Sequence, residues 1–347
     1  MFNNNVIAID LAKSSFHVCS LNKQNKVTTN KSFTRTKLKE WLIKQPKSIV
    51  AIEACGSAHY WARLVKQYGH TPMLLPPKLV TPFRKGHKTD KNDALAIAIA
   101  AKQPQIKTTA IKTVEQQGLQ SIERMRQHHS DFITATSNML RGLIYEFGIT
   151  IPKSKSALRK EVPFILEDAE NDIPDAFRHQ LSEMFNFYKA SEEALLQVEK
   201  DLAALINNQT ICQSLMEIEG VGPVNALGLS LALGERGESF KNGREASACI
   251  GLTPQQFSTG GVVTIGGIGK KRGNKRLRST LIQGALAITK ILMKREPRNT
   301  KEAWLKALME RCGVRKAAVA LANKNIRTAW AMLRYEKSYQ IPSTLEA

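Results

Sequence analysis

Apolar residues in the first hundred positions follow two rhythms. Short, β-branched runs fall at 6–10, 16–22, 27–33, 48–54 and 71–76, each bounded by polar, turn-forming residues, which is the pattern of strands. At 36–45, 57–69 and 90–101 apolar positions return at helical spacing. The order is three strands, helix, strand, helix, strand, helix. The early strands predict a meander, and the later alternation predicts parallel strands with crossover helices. Beyond residue 114 the rhythm becomes helical, with long helices expected at 115–147 and 177–206. In the second, Leu181, Tyr188, Leu195 and Leu202 repeat at heptad spacing alongside Met184, Val198 and Leu205, with Ser191 as the polar seam position. This coiled-coil-like pattern predicts an antiparallel hairpin of the two helices or pairing with another subunit. Pro152, Pro163 and Pro174 mark a connector with short helices between them. After residue 207 come a helix, a Gly-Val-Gly turn and a second helix across 215–227, then a glycine-rich stretch. An apolar helix at 279–293 and a helical segment at 301–335 follow, with Trp304 and Trp330 expected in the core.

The first eight elements have the order of the ribonuclease H-like fold, an α/β domain over 1–113. A long helical region over 114–207 and a mainly α domain over 208–347 complete the expected organisation. On this order four acidic residues take informative places. Asp10 ends Val6-Ile-Ala-Ile-Asp10, and Glu53 ends Ile49-Val-Ala-Ile-Glu53. Asp90 and Asp93 open an alanine-rich helix. Carboxylates on strand ends and one helix face are able to converge on Mg²⁺, which takes oxygen ligands in octahedral geometry. Two such ions clamp the attacking and leaving oxygens of a phosphodiester.

Charge points to the same substrate class. The 51 Lys+Arg against 30 Asp+Glu give a formal charge of +21, the footprint of a nucleic-acid binder. Arg84, Lys85 and Lys88 sit in a basic loop over 77–89, beside the acidic cluster, where they would position phosphate. Gly220 and Gly222 form a helix-hairpin-helix-like turn, whose backbone N–H groups suit a DNA phosphate. Lys270, Lys271, Arg272, Lys275, Arg276 and Arg278 crowd one short glycine-rich stretch, a density that repels itself unless a polyanion is present. Five scattered cysteines without a C-x-x-C pair argue against a disulfide framework or a zinc site. With no secretory leader pattern at the N-terminus and no stretch long enough to span a membrane, a cytoplasmic protein is expected.

Taken together the motifs resemble a known family, the DEDD transposases of insertion-sequence family one-ten, which are bridge-RNA-guided DNA recombinases. The carriers are Val6-Ile-Ala-Ile-Asp-Leu-Ala-Lys13, Ile52-Glu-Ala-Cys-Gly56, Lys88-Thr-Asp-Lys-Asn-Asp-Ala94, Ile218-Glu-Gly-Val-Gly-Pro223, Gly251-Leu-Thr-Pro254 and the block from Gly260 to Arg278. The resemblance implies a RuvC-like N-terminal domain, Mg²⁺ (two ions) at Asp10, Glu53, Asp90 and Asp93, and a C-terminal transposase domain. It implies a nucleophilic serine in a C-terminal loop that becomes covalently joined to DNA. It also implies an element-encoded noncoding RNA that pairs with donor and target DNA, and a homo-oligomer, dimer or tetramer. One position departs from the family. Where its serine precedes the glycine, this chain has Thr259, with Ser258 one residue earlier. Either hydroxyl is a candidate nucleophile, and the primary hydroxyl of Ser258 is the less hindered. The alternatives to a recombinase are a RuvC-like metal-dependent nuclease or junction resolvase using water, and a non-catalytic nucleic-acid-binding protein.

Overall fold

Five strands near the N-terminus form one mixed sheet in the computed structural model, which describes residues 5–269, 273–340 and 343. They are β1 (Val6–Leu11), β2 (Ser15–Leu21), β3 (Val27–Thr34), β4 (Ile49–Glu53) and β5 (Thr71–Leu75), in the order β3-β2-β1-β4-β5. The first three are an antiparallel meander, while β4 and β5 run parallel to β1. Helices α1 (Arg35–Ile43) and α2 (Ala58–Gln67) cover one face, α3 (Pro77–Val80) follows β5, and α4 (Asp90–Ala101) covers the other face. Alternation along β1 sorts its side chains between two cores. Ile7 and Ile9 pack with Leu38, Trp61 and Val65 of the α1/α2 side, whereas Val6 and Ala8 pack with Ala94, Ile97 and Ala101 of α4. Alanines on α4 facing Ala8 and Ala51 let that helix lie close to the strands.

The chain divides into two compact units, residues 1–114 with 214–347, and residues 115–213. The second holds α5 (Val114–Tyr145), α6 (Lys155–Glu167) and α7 (Asp175–Asn207). Its core joins Ile133, Leu140 and Ile144 of α5 to Leu158 and Val162 of α6 and to Leu181, Phe185 and Tyr188 of α7. The buried seam of α7 differs in detail from the heptad expectation. Leu181, Tyr188 and Leu202 are buried, but their companions are Phe185 and Ile206, four residues on, while Leu205 is exposed. Two glutamates continue the row of Phe185 and Ile206. Glu192 pairs with Arg159 at 2.7 Å and Lys155 at 3.7 Å, and Glu199 pairs with Arg126 at 3.3 Å. These ion pairs tie α7 to its own α5 and α6.

Helix α8 (Thr210–Met216) begins in the second unit and ends in the first, whose C-terminal part then holds α9 (Pro223–Leu233), α10 (Gly243–Ile250), β6 (Pro254–Thr259), β7 (Val262–Ile268), α11 (Lys275–Leu292), α12 (Thr300–Cys312) and α13 (Val314–Tyr335). Helix α13 is central, burying Ala317, Leu321, Ala322, Ile326, Ala329 and Trp330 against α9, α10, α11 and α12. Where one helical stretch over 301–335 was expected, Gly313 (φ 84°) breaks it in two. The glycine-rich stretch expected as a loop is in large part an antiparallel ribbon, β6–β7. An ion pair between Lys107 and Glu245 joins this part to the sheet domain within the same unit. Trp330 is core as expected, donating from Nε1 to the Gly237 carbonyl at 3.0 Å, but Trp304 is 36% exposed. All five cysteines are free, and no described helix is long and apolar enough to cross a membrane.

Candidate active site

Asp10 lies near the end of β1 and Glu53 is the last residue of β4. The strands are parallel neighbours with Ile9 opposite Ile52, so both carboxylates leave the sheet at one end. Asp10 shares the parity of Val6 and Ala8, and Glu53 that of Ala51, which turns both toward the α4 side. The N-terminus of α4 supplies the other two acids. Thr89 caps it, its Oγ1 accepting from the Asn92 N–H at 3.3 Å. Asp90 and Asp93 follow in the first turn, three residues apart on one helix face, where the helix dipole favours negative charge.

The two strand carboxyls feel their acidic neighbours. Burial first, then the charges of Asp93, Asp90 and Glu53, push the Asp10 carboxyl up to about 6, with Lys88 opposing. Burial and then Asp93 raise Glu53 as well, against Lys88 and Arg84. Asp93 accepts from Arg84 Nη1 at 3.2 Å and has Lys88 Nζ 3.7 Å from its other oxygen. The segment expected as a basic loop delivers those cations through α3 and a 3-10 turn at Thr81–Phe83, with Phe83 packed against the α4-side core. Lys85 is exposed beside them.

Carboxyls that resist ionisation are relieved by a hard cation, and carboxylate oxygen is the donor that Mg²⁺ prefers. In charge and donor type these residues fit a divalent metal. Among the described residues no three His, Cys, Asp or Glu side chains already form one ion's ligand shell; Asp93 is turned to Arg84 and Lys88. A residue absent from the sequence reading stands close by. His17 is paired opposite Asp10 in the β1–β2 register, so it shares that face of the sheet. Its ring nitrogens lie 2.9 Å from Ser32 Oγ and 2.6 Å from Asn30 Oδ1. Its polar character between the buried Phe16 and Val18 was the available signal.

Ser258 and Thr259 end β6. Thr259 pairs with Val262 across a two-residue turn, Gly260-Gly261, whose φ values of 55° and 82° are both left-handed. That is the type I′ geometry which glycine permits and which matches strand twist. Successive strand residues point to opposite faces, so the two hydroxyls lie on opposite sides of the ribbon. Both are exposed, and Ser258 Oγ accepts from Gln256 Nε2 at 3.1 Å. Around them Phe257, Val262, Val263 and Ile265 are each more than half exposed.

The remaining phosphate-binding candidates separate. Gly222 is exposed at the N-cap of α9, while Gly220 (φ 80°) packs inward, where a Cβ on Gly284 would come within 2.0 Å of its carbonyl oxygen. Glycine at 220 and 284 is therefore explained by close packing of α11 on the turn. Lys275 and Arg276 are exposed in the first turn of α11. Arg278 is directed into the fold, donating to the carbonyls of Ile250 at 3.0 Å and Gly269 at 3.4 Å. Lys270, Lys271 and Arg272 lie outside the described residues.

Known proteins resemble this chain over nearly its whole length. A family model described as a transposase, of the DEDD IS110 type, matches residues 7–148, and one described as the transposase IS116/IS110/IS902 family matches residues 212–301. A probable family 20 transposase of Pseudomonas aeruginosa is 35% identical, over 96% of this chain and 98% of that protein. The transposase for insertion sequence element IS1111A of Coxiella burnetii is 34% identical, over 96% and 91%. The transposase for IS1328 of Yersinia enterocolitica is 32% identical, over 96% and 97%. A solved structure of T. thermophilus RuvC in complex with Holliday junction substrate overlays 30% of this chain and 98% of its own, at 12% identity and a TM-score of 0.23, too loose a likeness to carry weight.

Proposed function

This chain belongs to the IS116/IS110/IS902 family of transposases, and we propose that it excises and inserts its own element by Mg²⁺-dependent, RNA-guided strand exchange through a hydroxyl covalently joined to DNA. The reading rests above all on the placement of Asp10 and Glu53 at the same end of the neighbouring parallel strands β1 and β4, with Asp90 and Asp93 in the first turn of the helix packed on that face. These four carboxylates would hold the metal, which when bound supplies positive charge to phosphodiester oxygens. Arg84 and Lys88 then bind the flanking phosphates, freed from Asp93 as the acid cluster is neutralised.

Ser258 Oγ gives up its proton and bonds to phosphorus, while the bond from phosphorus to the strand's own ester oxygen breaks and that oxygen takes up a proton, so the step consumes none overall. One phosphoester bond replaces another, so a hydroxyl of the partner strand reverses the step and rejoins DNA without an energy source. Opposite placement of Ser258 and Thr259 on the ribbon means that one face is presented to the phosphate; the primary hydroxyl assigns that role to Ser258. Lys275 and Arg276, cations at a helix N-terminus where the dipole disfavours them, are suited to a phosphate there. Gly222 keeps the same role at the helix-hairpin-helix-like turn. Sequence choice is delegated to an element-encoded RNA, with the protein reading shape. The exposed apolar ribbon supports a homo-oligomer, because such surface is unfavourable in water and an isolated two-stranded ribbon is marginally stable.

The test is a denaturing gel with purified protein, Mg²⁺, junction DNA and the neighbouring noncoding RNA. An RNA-dependent protein–DNA adduct that vanishes in Ser258→Ala is the expected result. One observation favours a second reading, a nuclease that uses water: the hydrogen bond found at Ser258 comes from the amide of Gln256, which is not a base. Free cut ends without an adduct would select it.

A further inference from the structure

The tryptophan that leaves the core marks a surface built on α12 and α13, which contains none of the four carboxylates and neither ribbon hydroxyl. A cavity of about 870 Å³ runs along one side of α13, floored by small residues such as Ala320 and walled by Trp304 of α12 and by Pro254 and Ile268 at the base of the ribbon. Lys316, Lys324 and Arg327 rise from the same stripe of α13, spaced by eight and three residues, so they share one helix face. A second cavity, about 540 Å³, shares Trp304 and Lys324 and continues toward Lys337. Among the described residues no carboxylate lines either cavity. Among the described residues, Lys316, Lys324 and Arg327 form no ion pair. Lys324 Nζ instead sits 4.3 Å from the centroid of the Trp304 ring.

Three cations without counter-ions and one exposed indole in a single groove have the composition of a single-strand nucleic-acid track, where the backbone follows positive charge and bases stack on aromatic faces. A duplex keeps its bases stacked internally and has none to offer the ring. A protein partner would have to answer three cations at the centre of its interface, where charged residues are depleted. We propose that this groove binds an unpaired DNA strand, with one base stacked on Trp304 and the adjacent phosphates on Lys316, Lys324 and Arg327. Lys324 moves from the ring face to a phosphate as the base takes its place. The proposal rests on the reading that the chain works on DNA, because strand exchange generates such unpaired segments. It does not depend on the route of cleavage.

The experiment uses the full chain in EDTA, so that neither metal-dependent chemistry nor the acid cluster contributes. Binding of a labelled fifteen-residue thymidine strand is followed by anisotropy, together with quenching of tryptophan emission. Trp304→Ala is expected to weaken single-strand binding about tenfold and remove most of the quenching, Trp304→Phe to retain most of the affinity, and a duplex of equal length to be bound equally by all three. Lys324→Gln with Arg327→Gln should lower the slope of log affinity against log salt by about 1.4. Asp10→Asn should bind the strand like wild type, which separates this site from the cleavage reading. Unchanged single-strand affinity in Trp304→Ala, equal losses for strand and duplex, or quenching by a uridine RNA strand but not by DNA would each overturn the proposal.

Discussion

The acidic site and the ribbon that carries the hydroxyls are built on opposite principles. Asp10, Glu53 and Asp93 are partly buried, emerge from the packed β1, β4 and α4, and are held in place by two cores whether or not a substrate is present. Ser258 and Thr259 both stand on β6, in a ribbon that among the described residues pairs with no further strand and exposes apolar residues on both faces. Rigid elements hold reacting groups to a fraction of an ångström, whereas an isolated ribbon gains its geometry from whatever it docks against. In a reaction that moves strands between partners, the first arrangement suits charge stabilisation, and the second suits a nucleophile brought up only when the assembly is complete. Each half of this comparison is open to a direct attack.

The largest effect should come from the acidic half. Asp10→Asn keeps the shape of the side chain but removes one anionic ligand, and strand cleavage is expected to fall roughly a thousandfold or more. DNA affinity in EDTA should stay within about twofold of wild type. A cleavage rate within tenfold of wild type would remove Asp10 from the reacting centre. Next in size is the choice between the ribbon's faces. Ser258→Ala should abolish the covalent adduct, while Thr259→Ala should reduce its yield only a few-fold. The reverse outcome would put the opposite face of β6 toward the phosphate.

The same contrast governs what the sequence disclosed. The alternating β-branched runs of β1 to β5 and the alanine-rich α4 were readable because each buries a face, and burial imposes periodicity. The places of the four acids were readable for the same reason, since Asp10 and Glu53 lie at or next to the ends of two of those strands and Asp90 and Asp93 open α4. The Arg84–Asp93 pair was not, because it is closed by a 3-10 turn that no periodicity reports. Nor was the ribbon recognised. Its two faces are both exposed, so no alternation marks it, although Gly260-Gly261 between Phe257-Ser-Thr259 and Val262-Val-Thr-Ile265 is a hairpin signature. The seam of α7 was misaligned because a count of apolar positions passes over Glu192 and Glu199, whose places in the row are secured by Arg159 and Arg126. Trp304 was assigned to the core by its type, and only the position of its neighbours reveals the groove.

A smaller effect tests whether the ribbon stands apart from the core. Gly261→Ala forces a side chain into a left-handed conformation, at about 1–2 kcal/mol. Because nothing lies within 4 Å of a Cβ at that position, the strain stays within the turn. Adduct formation should drop about tenfold, while the thermal midpoint of the protein moves by less than about 1 °C. A large fall in the midpoint would show the ribbon to be part of the cooperative fold, and the contrast with the acidic site would collapse.

The smallest effect concerns the preformed charge of the acidic site. A carboxyl raised from 3.8 to about 6 by burial and by like charges favours the folded state most fully below pH 4, and that contribution is lost as pH rises through 6. At pH 7.5 without metal, ionised Asp10 therefore opposes folding, by about 1 kcal/mol once the screening of a half-exposed site is allowed for. Asp10→Asn should then melt about 2 °C above wild type in EDTA. Adding Mg²⁺ should raise wild type past the variant, and the gain should grow between pH 5 and pH 7 as Asp10 gives up its proton to bind metal. A thermal midpoint for Asp10→Asn at or below that of wild type in EDTA would mean that Arg84 and Lys88 already neutralise the cluster. The acidic site would then be no more strained in the absence of its partners than the ribbon is.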